Sequence, residues 1–153
     1  MLRSQVFISY SHTDSKWLQK LRPFLKVLER DHGIKIWDDT AIKPGGKWKE
    51  DIKRALQQTK VAVLLVSQQF LASDFITDQE LPHFLKASEK EGLTILWVAI
   101  SASTWKSSPI AQFQATNDPG RPLDSLSSSK LKSELVKIEQ SIQQAINPPE
   151  ARR

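Results

Sequence analysis

The residues best placed to do chemistry follow the first two apolar runs of the chain. The stretch Ser9–Ser15 is rich in hydroxyls and opens a predicted helix, whose first N–H groups favour a bound phosphate. The stretch Asp38–Lys47 follows the second run and is rich in turn-forming residues, which predicts a loop. The first stretch leaves a flavin-type phosphate site open, although hydroxyls at such positions also serve simply as helix caps.

Several common sites are excluded by sequence. Gly45-Gly46-Lys47 is followed by Trp48, so there is no Walker loop, and neither GxGxxG nor GxSxG occurs. A phospho-accepting receiver needs acidic residues after the first and third strands, where the chain has Ser9-Tyr10 and Ser67-Gln68. The absence of cysteine excludes disulfides, thiolate zinc sites and a cysteine nucleophile. No metal site is expected, because the histidines share no ligand spacing. They are His12, His32 and His83.

The composition is that of one globular domain: 153 residues, 39% hydrophobic and 25% charged. The net charge is +5, and the basic residues are spread along the chain. Nucleic-acid binding needs a dense basic patch with interleaved aromatics, so none is expected. The longest apolar run, Val61–Val66, has six residues, far short of a membrane span. We expect a soluble, cytoplasmic protein without a signal peptide.

Short apolar runs alternate with segments of helical periodicity. The predicted strands are Gln5–Ser9, Ile34–Trp37, Val61–Val66 and Thr94–Ile100. The first predicted helix begins at a cap, Thr13 or Asp14, and ends at Asp31–Gly33. Three more are predicted over Trp48–Gln58, about Gln69–Ala87 and about Lys130–Ile146. This alternation predicts parallel strands with right-handed crossovers. Ligands of such sheets bind beyond the carboxyl ends of the strands.

Prolines mark the expected interruptions of this pattern. Pro23 is expected to kink or restart the first helix, and Pro82 to interrupt the third. The segment Ser101–Ser129 holds further prolines and many serines, which predicts irregular structure. The proline pair after the last helix predicts one domain over residues 1–147, followed by a polar tail or linker over 148–153.

Three blocks of sequence, in this order, resemble the TIR (Toll/interleukin-1 receptor) domain family. They are VFISYSHTD, IWDDTAIKPGGKWKEDIKRAL and VAVLLVSQQFLASDFITDQEL. The similarity covers about residues 5–146 and, with the long segment Trp105–Leu126, is closest to the prokaryotic NAD⁺-cleaving branch. The resemblance implies an α/β fold of flavodoxin type. This is a three-layer sandwich whose central parallel sheet has about five strands, in the order 2-1-3-4-5, with helices on both faces.

The resemblance also implies a catalytic residue. Glu80, on the helix after the third strand, corresponds to the essential glutamate of TIR domains that cleave NAD⁺ at the nicotinamide–ribose bond. Nicotinamide leaves a cationic pyridinium as a neutral molecule, so no general acid is needed, unlike in glycosidases with paired carboxylates. One carboxylate that hydrogen-bonds the ribose hydroxyls and stabilises the oxocarbenium-like transition state is enough.

Further residues are assigned to substrate binding by the same resemblance. They are Tyr10, Lys47, Trp48, Ser73, Phe75 and Trp105. The two tryptophans could each be ligand contacts or core residues. The family often has a tryptophan four residues before the glutamate, whereas this chain has Ile76 there and Phe75 one position earlier. The departure suggests a one-residue shift at the entry of the helix that carries Glu80, and it bears on the assignments of Ser73 and Phe75.

The loop Asp38–Lys47 corresponds to the BB loop of the family, which governs self-assembly and access to the active site. The residues assigned to it are Asp38, Asp39, Ile42, Pro44, Gly45 and Gly46. Because one subunit's BB loop helps to complete its neighbour's site in the family, we expect activity to depend on self-association.

The resemblance leads us to expect a cytoplasmic NAD⁺ nucleosidase that yields nicotinamide and ADP-ribose or a cyclic isomer. NAD⁺ is the substrate, and no separate cofactor, metal or membrane is expected. Other TIR domains are the expected partners, with a sensor domain in the full-length chain and a role in bacterial anti-phage signalling. The alternative is a non-enzymatic adaptor that acts through TIR–TIR contacts. Nucleic-acid or flavin binding is a third hypothesis.

Overall fold

A parallel sheet of five strands lies at the centre of the residues that the computed structural model describes, which are 3–38, 48–74 and 76–147. The strands are β1 (Gln5–Ser9), β2 (Ile36–Asp38), β3 (Thr59–Val66), β4 (Thr94–Ala99) and β5 (Gln114–Ala115). The helices are α1 (Ser15–His32), α2 (Trp48–Gln58), α3 (Gln68–Ala72), α4 (Leu81–Lys90) and α5 (Ser128–Ile146). The strand order β2-β1-β3-β4-β5 confirms the flavodoxin-like fold expected from the sequence.

Alternating side chains of the strands divide the core into two layers. Val6 and Ile8 of β1 lie on the face that packs against α1 and α5. Phe7 of β1 and Trp97 of β4 lie on the other face, which packs against α2, α3 and α4. Since both faces are covered, β3 is buried along nearly its whole length, as its continuous apolar run predicted.

Helix α1 runs without a break through Pro23, so the expected restart at that residue is wrong. Proline removes one backbone donor, but α1 buries a stripe of large apolar side chains against the sheet, which favours a continuous helix. The helix ends where the sequence predicted, because Gly33 takes a left-handed φ of 66° and its N–H bonds the carbonyl of Leu28.

The expected single helix at about residues 69–87 is three segments. Helix α3 ends at Ala72, a π-helical turn covers Ile76–Glu80, and α4 follows at Leu81. Pro82 does not interrupt a helix but occupies the first turn of α4, where a missing N–H costs nothing.

The segment after β4 is mostly irregular, as expected, yet it contains the fifth strand. β5 pairs Gln114 with Leu96 and Ala115 with Trp97 of β4. Asn117 extends this pairing through its side chain, which accepts from Ala99 N at 2.8 Å and donates to Ala99 O at 3.0 Å. A strand of two residues has no hydrophobic periodicity, so the sequence does not predict it.

Candidate functional site

The carboxyl ends of β1 and β3 meet at the point where the strand order changes direction, which is where ligands of such sheets bind. Ser9 is the last residue of β1 and lies on the same face as Phe7, two positions earlier. Its Oγ–H donates to Oε1 of Glu80 at 2.6 Å. Both residues are 0% exposed, so the candidate catalytic carboxylate is fully enclosed at this edge of the sheet.

The position of Glu80 follows from a match between helical and strand spacing. Glu80 and Phe84 are four residues apart and so lie on one face of a helix, about 6 Å apart along its axis. Phe7 and Ser9 are two residues apart on one face of β1, about 6.6 Å apart along the strand. The rings of Phe7 and Phe84 lie 5.5 Å apart between centroids, one step along from the Ser9–Glu80 bond.

The turn that ends on Glu80 is π-helical. A π-helix has i→i+5 bonding, so its turn holds one residue more than an α-helical turn, and such turns are frequent at functional sites. This turn lies in the segment where the sequence suggested a one-residue shift, which stays a prediction. Ser73 lies at the entry of this segment, where its Oγ accepts from Ile76 N at 3.3 Å and its carbonyl from Thr77 N at 2.9 Å.

A second serine–carboxylate pair crosses the first. Ser67, the residue after β3, donates its hydroxyl to Asp14, at the start of α1, and its Oγ accepts from Phe70 N at 3.0 Å. Thus Ser9, at the end of β1, bonds Glu80, which comes after β3 in the chain. Ser67, just after β3, bonds Asp14, which comes after β1. Tyr10 lies in the layer of α1 and α5, 3% exposed, with its ring 5.7 Å from that of His12.

The end of β2 is fixed by an ion pair. Nη2 of Arg22, on α1, lies 2.8 Å from Oδ2 of Asp38, and the arginine side chain is 43% exposed against 8% for the aspartate. Asp38 is the only BB-loop residue assigned from sequence that belongs to the described part of the chain. Its carboxylate therefore holds the point from which that loop departs.

Trp105 lies beyond β4, in a short 3₁₀ turn over Trp105–Ser107. It is half-buried against Trp97, with ring centroids 5.0 Å apart, and Nζ of Lys106 lies 5.9 Å from its ring. The turn lines one side of an open groove whose other side includes Pro119 and Gly120. Trp105 is therefore partly in the core and partly at the surface that borders this groove.

The described residues hold no group of three or more histidines, aspartates or glutamates that could bind a metal ion. Within the same residues, no helix has both the length and the apolar character needed to cross a bilayer. The carboxylate of Glu80 and the hydroxyl of Ser9, at the carboxyl edge of the sheet, can act through hydrogen bonds and charge.

The sequence model of the TIR domain family matches residues 6–128, most of the chain. The chain belongs to the TIR domain family. The matched residues include both crossed serine–carboxylate pairs and the π-helical turn.

Two known proteins are similar to this chain, one in structure and one in sequence. The TIR domain of the Toll-related receptor TRR-2 from Hydra magnipapillata superposes with a TM-score of 0.55 and 14% identity. The match covers 93% of this chain and 98% of the receptor domain, and it supports the fold alone. An uncharacterized protein of Sinorhizobium fredii (strain NBRC 101917 / NGR234), y4lF, is 30% identical over 122 residues. That match covers 77% of this chain and 36% of the relative, so the TIR chain spans about a third of the relative's length.

Several residues assigned from the sequence lie outside the described residues of this TIR domain. They are Asp39, Ile42, Pro44, Gly45, Gly46, Lys47 and Phe75. For Trp48 the structure describes only the backbone, as the first residue of α2. The substrate-binding roles of Tyr10, Ser73 and Trp105 stay predictions, as does catalysis by Glu80.

Ser9 is the residue of this TIR site that the sequence reasoning missed. Two signals were available. Strand alternation places Ser9 in line with Phe7, and the buried stripe of α4, Phe84 and Ala87, reaches Glu80 when extended back by one turn. A serine and a glutamate that both point into an apolar layer predict a hydrogen bond between them.

Proposed function

We propose that this TIR domain is an NAD⁺ nucleosidase in which Glu80 stabilises the transition state of nicotinamide–ribose cleavage. The observation that supports the proposal is the position of a buried carboxylate at the carboxyl edge of the sheet, held by Ser9 at 2.6 Å. Charged side chains are almost never buried for packing alone, and carboxylates in enclosed sites at strand ends are typical of catalytic centres.

The chemistry needs few groups from the protein. The bond between C1′ of the ribose and the pyridinium nitrogen breaks with its electron pair on nitrogen, so nicotinamide leaves as a neutral molecule. Positive charge develops on the ribose, and a carboxylate in a water-poor site stabilises it more strongly than it would in water. Water then adds to C1′ and loses a proton to give ADP-ribose, or the adenine of the same molecule adds to give a cyclic isomer.

Access to Glu80 ties the reaction to assembly. The residue is 0% exposed in the single chain, so NAD⁺ reaches its carboxylate only after the edge of the site rearranges. TIR domains associate with one another, and contacts made only by the rearranged state would shift the population toward it. In this proposal the active form is self-associated, and it acts in the cytoplasm in bacterial immune signalling.

Release of nicotinamide by the concentrated or artificially clustered chain tests the proposal. Glu80→Gln keeps the size of the side chain and removes its charge. Glu89→Gln makes the same change at an exposed position of α4 and serves as the control. We expect wild type and Glu89→Gln to release nicotinamide and Glu80→Gln to lose at least 100-fold in rate, a loss typical of a key electrostatic group. Equal, background-level release by all three variants would contradict the proposal.

A non-enzymatic adaptor is the second candidate. It is favoured by the same enclosure, because a buried, hydrogen-bonded carboxylate with no access is also what a structural role requires. In that case Glu80→Gln would change the thermal stability of the domain, whereas TIR–TIR association and downstream signalling would persist without NAD⁺ consumption.

A further inference from the structure

We propose that Ser9 is the positioning residue of the site: its hydroxyl sets the orientation of the Glu80 carboxylate for the ribose. The inference rests on the proposed NAD⁺ cleavage and adds a residue that acts through Glu80. It starts from a short, fully buried hydrogen bond between β1 and the turn that carries the glutamate.

The donor lies on a strand that is paired at both edges. β1 pairs with β2 on one side and with β3 on the other, and Ser9 itself lies opposite Leu64 of β3. A serine with one side-chain torsion on a strand held at both edges has a well-defined Oγ position. Its hydroxyl hydrogen then points to whichever acceptor lies within reach, and that acceptor is Oε1 of Glu80 at 2.6 Å.

The acceptor lies on a less constrained element. Glu80 closes a π-helical turn, a short and uncommon helix type, and a glutamate side chain has three rotatable torsions. The contact between Phe7 and Phe84 fixes the helix one turn further on, but it does not choose among the rotamers of Glu80. The bond from Ser9 does.

This arrangement separates Ser9 from direct contact with substrate. Ser9 is fixed by the pairing of β1 and its hydroxyl is already bonded to Glu80, whereas Glu80 lies on the less constrained turn. Its removal should leave NAD⁺ binding intact and misplace the group that stabilises the transition state. Misplacement by about 1 Å costs up to about 100-fold in rate, so the expected effect is on kcat.

The test compares three single substitutions in the clustered chain. Ser9→Ala removes the hydroxyl, and Ser9→Cys keeps nearly the same volume but donates weakly. Ser67→Ala is the matched control: it removes a fully buried hydroxyl, also at a strand end, whose acceptor is Asp14. We expect both Ser9 variants to lower kcat by about 10- to 100-fold with KM within about threefold, and Ser67→Ala to keep the wild-type kcat.

Two results would overturn the inference. One is a kcat within about twofold of wild type for Ser9→Ala or Ser9→Cys, and the other is a loss confined to KM. The failure of the proposed function looks different, since wild-type protein itself would then release no nicotinamide.

A second measurement does not depend on activity. The urea midpoints of Ser9→Ala, Glu80→Ala and the double variant form a double-mutant cycle. We expect the double variant to shift the midpoint by less than the sum of the two single shifts, because either change already breaks the bond. Additive shifts would mean that the contact does not couple the two residues and would count against the inference, whatever the kinetics.

Discussion

Phe84 packs against Phe7 with ring centroids 5.5 Å apart. Phe84 lies one helical turn beyond Glu80, and Phe7 lies two residues before Ser9 on the same face of β1. The two contacts dock one face of the helix on one face of β1, with an aromatic pair in the core and a polar pair at the edge. The depth at which Glu80 lies in the sheet is therefore set by apolar packing, and its orientation by a hydrogen bond.

Truncation of this aromatic pair is expected to destabilise the domain. Phe84 is fully buried, so Phe84→Ala should lower the free energy of unfolding by about 3–5 kcal/mol. Leu85→Ala, at the half-buried next position of α4, is the control and should cost distinctly less. Urea denaturation monitored by tryptophan fluorescence measures both. Equal losses for the two variants would mean that the Phe7–Phe84 contact does not anchor the helix.

The sequence predicted the alternating elements because each long strand and helix carries its own apolar pattern, whereas the strand order came from the resemblance to TIR domains. Gly33 likewise marked the end of α1, since a left-handed residue there favours glycine. The ends of β2 and the two residues of β5 carry no such pattern. They form because an edge position on an existing sheet satisfies their backbone groups, which is a tertiary effect.

The sequence named Glu80 as the candidate carboxylate, which stays a prediction, but it did not name Ser9, which donates a hydrogen bond to it. Glu80 came from a resemblance between sequences, which carries position but no contact. The π-helical turn and the Ser9 bond depend on how a helix docks on β1, and no local period encodes either of them. The break between α3 and α4 was hidden because the apolar pattern continues across it, from Phe70 to Phe84.

The second serine–carboxylate pair is expected to be structural. Ser67→Ala removes a helix cap and leaves the carboxylate of Asp14 without its serine donor, so it should destabilise the domain by about 1–3 kcal/mol. Asp14→Asn keeps an acceptor oxygen and should cost less. Thermal and urea unfolding compare them, and a neutral Ser67→Ala variant would show that the hydroxyl contributes little to this edge of the sheet.

Substitutions of Trp97 and Trp105 are expected to have different effects, because Trp97 packs in the core and Trp105 is the candidate ligand contact. Trp97 is 1% exposed, so Trp97→Ala should cost about 3–5 kcal/mol of stability. Trp105 is half-buried, and if its open face stacks on a ring of NAD⁺, Trp105→Ala should raise KM about tenfold or more. Trp105→Phe, which keeps a ring, should restore most of the affinity. An unchanged KM in Trp105→Ala would assign this residue to the core.

The ion pair between Arg22 and Asp38 is expected to contribute modestly and to depend on salt. Because the arginine is 43% exposed, Arg22→Ala should lower the free energy of unfolding by no more than about 1 kcal/mol. The difference from wild type should shrink in 1 M NaCl, where the screening length is about 3 Å. Arg22→Lys keeps the charge, so its free energy of unfolding should lie between those of wild type and Arg22→Ala. A loss of several kcal/mol, unchanged by salt, would mean that the pair acts as a buried one.

Specific activity is expected to rise with the concentration of the chain. A single chain encloses Glu80 completely. In the proposed function the open form is therefore a minor state that association would stabilise by mass action. Nicotinamide release per chain, measured over a wide dilution series beside sedimentation of the same samples, should follow the associated fraction. Glu80→Gln should associate like wild type and release nothing, which separates assembly from chemistry. Specific activity that stays constant down to concentrations where only monomer sediments would place the open form within the single chain.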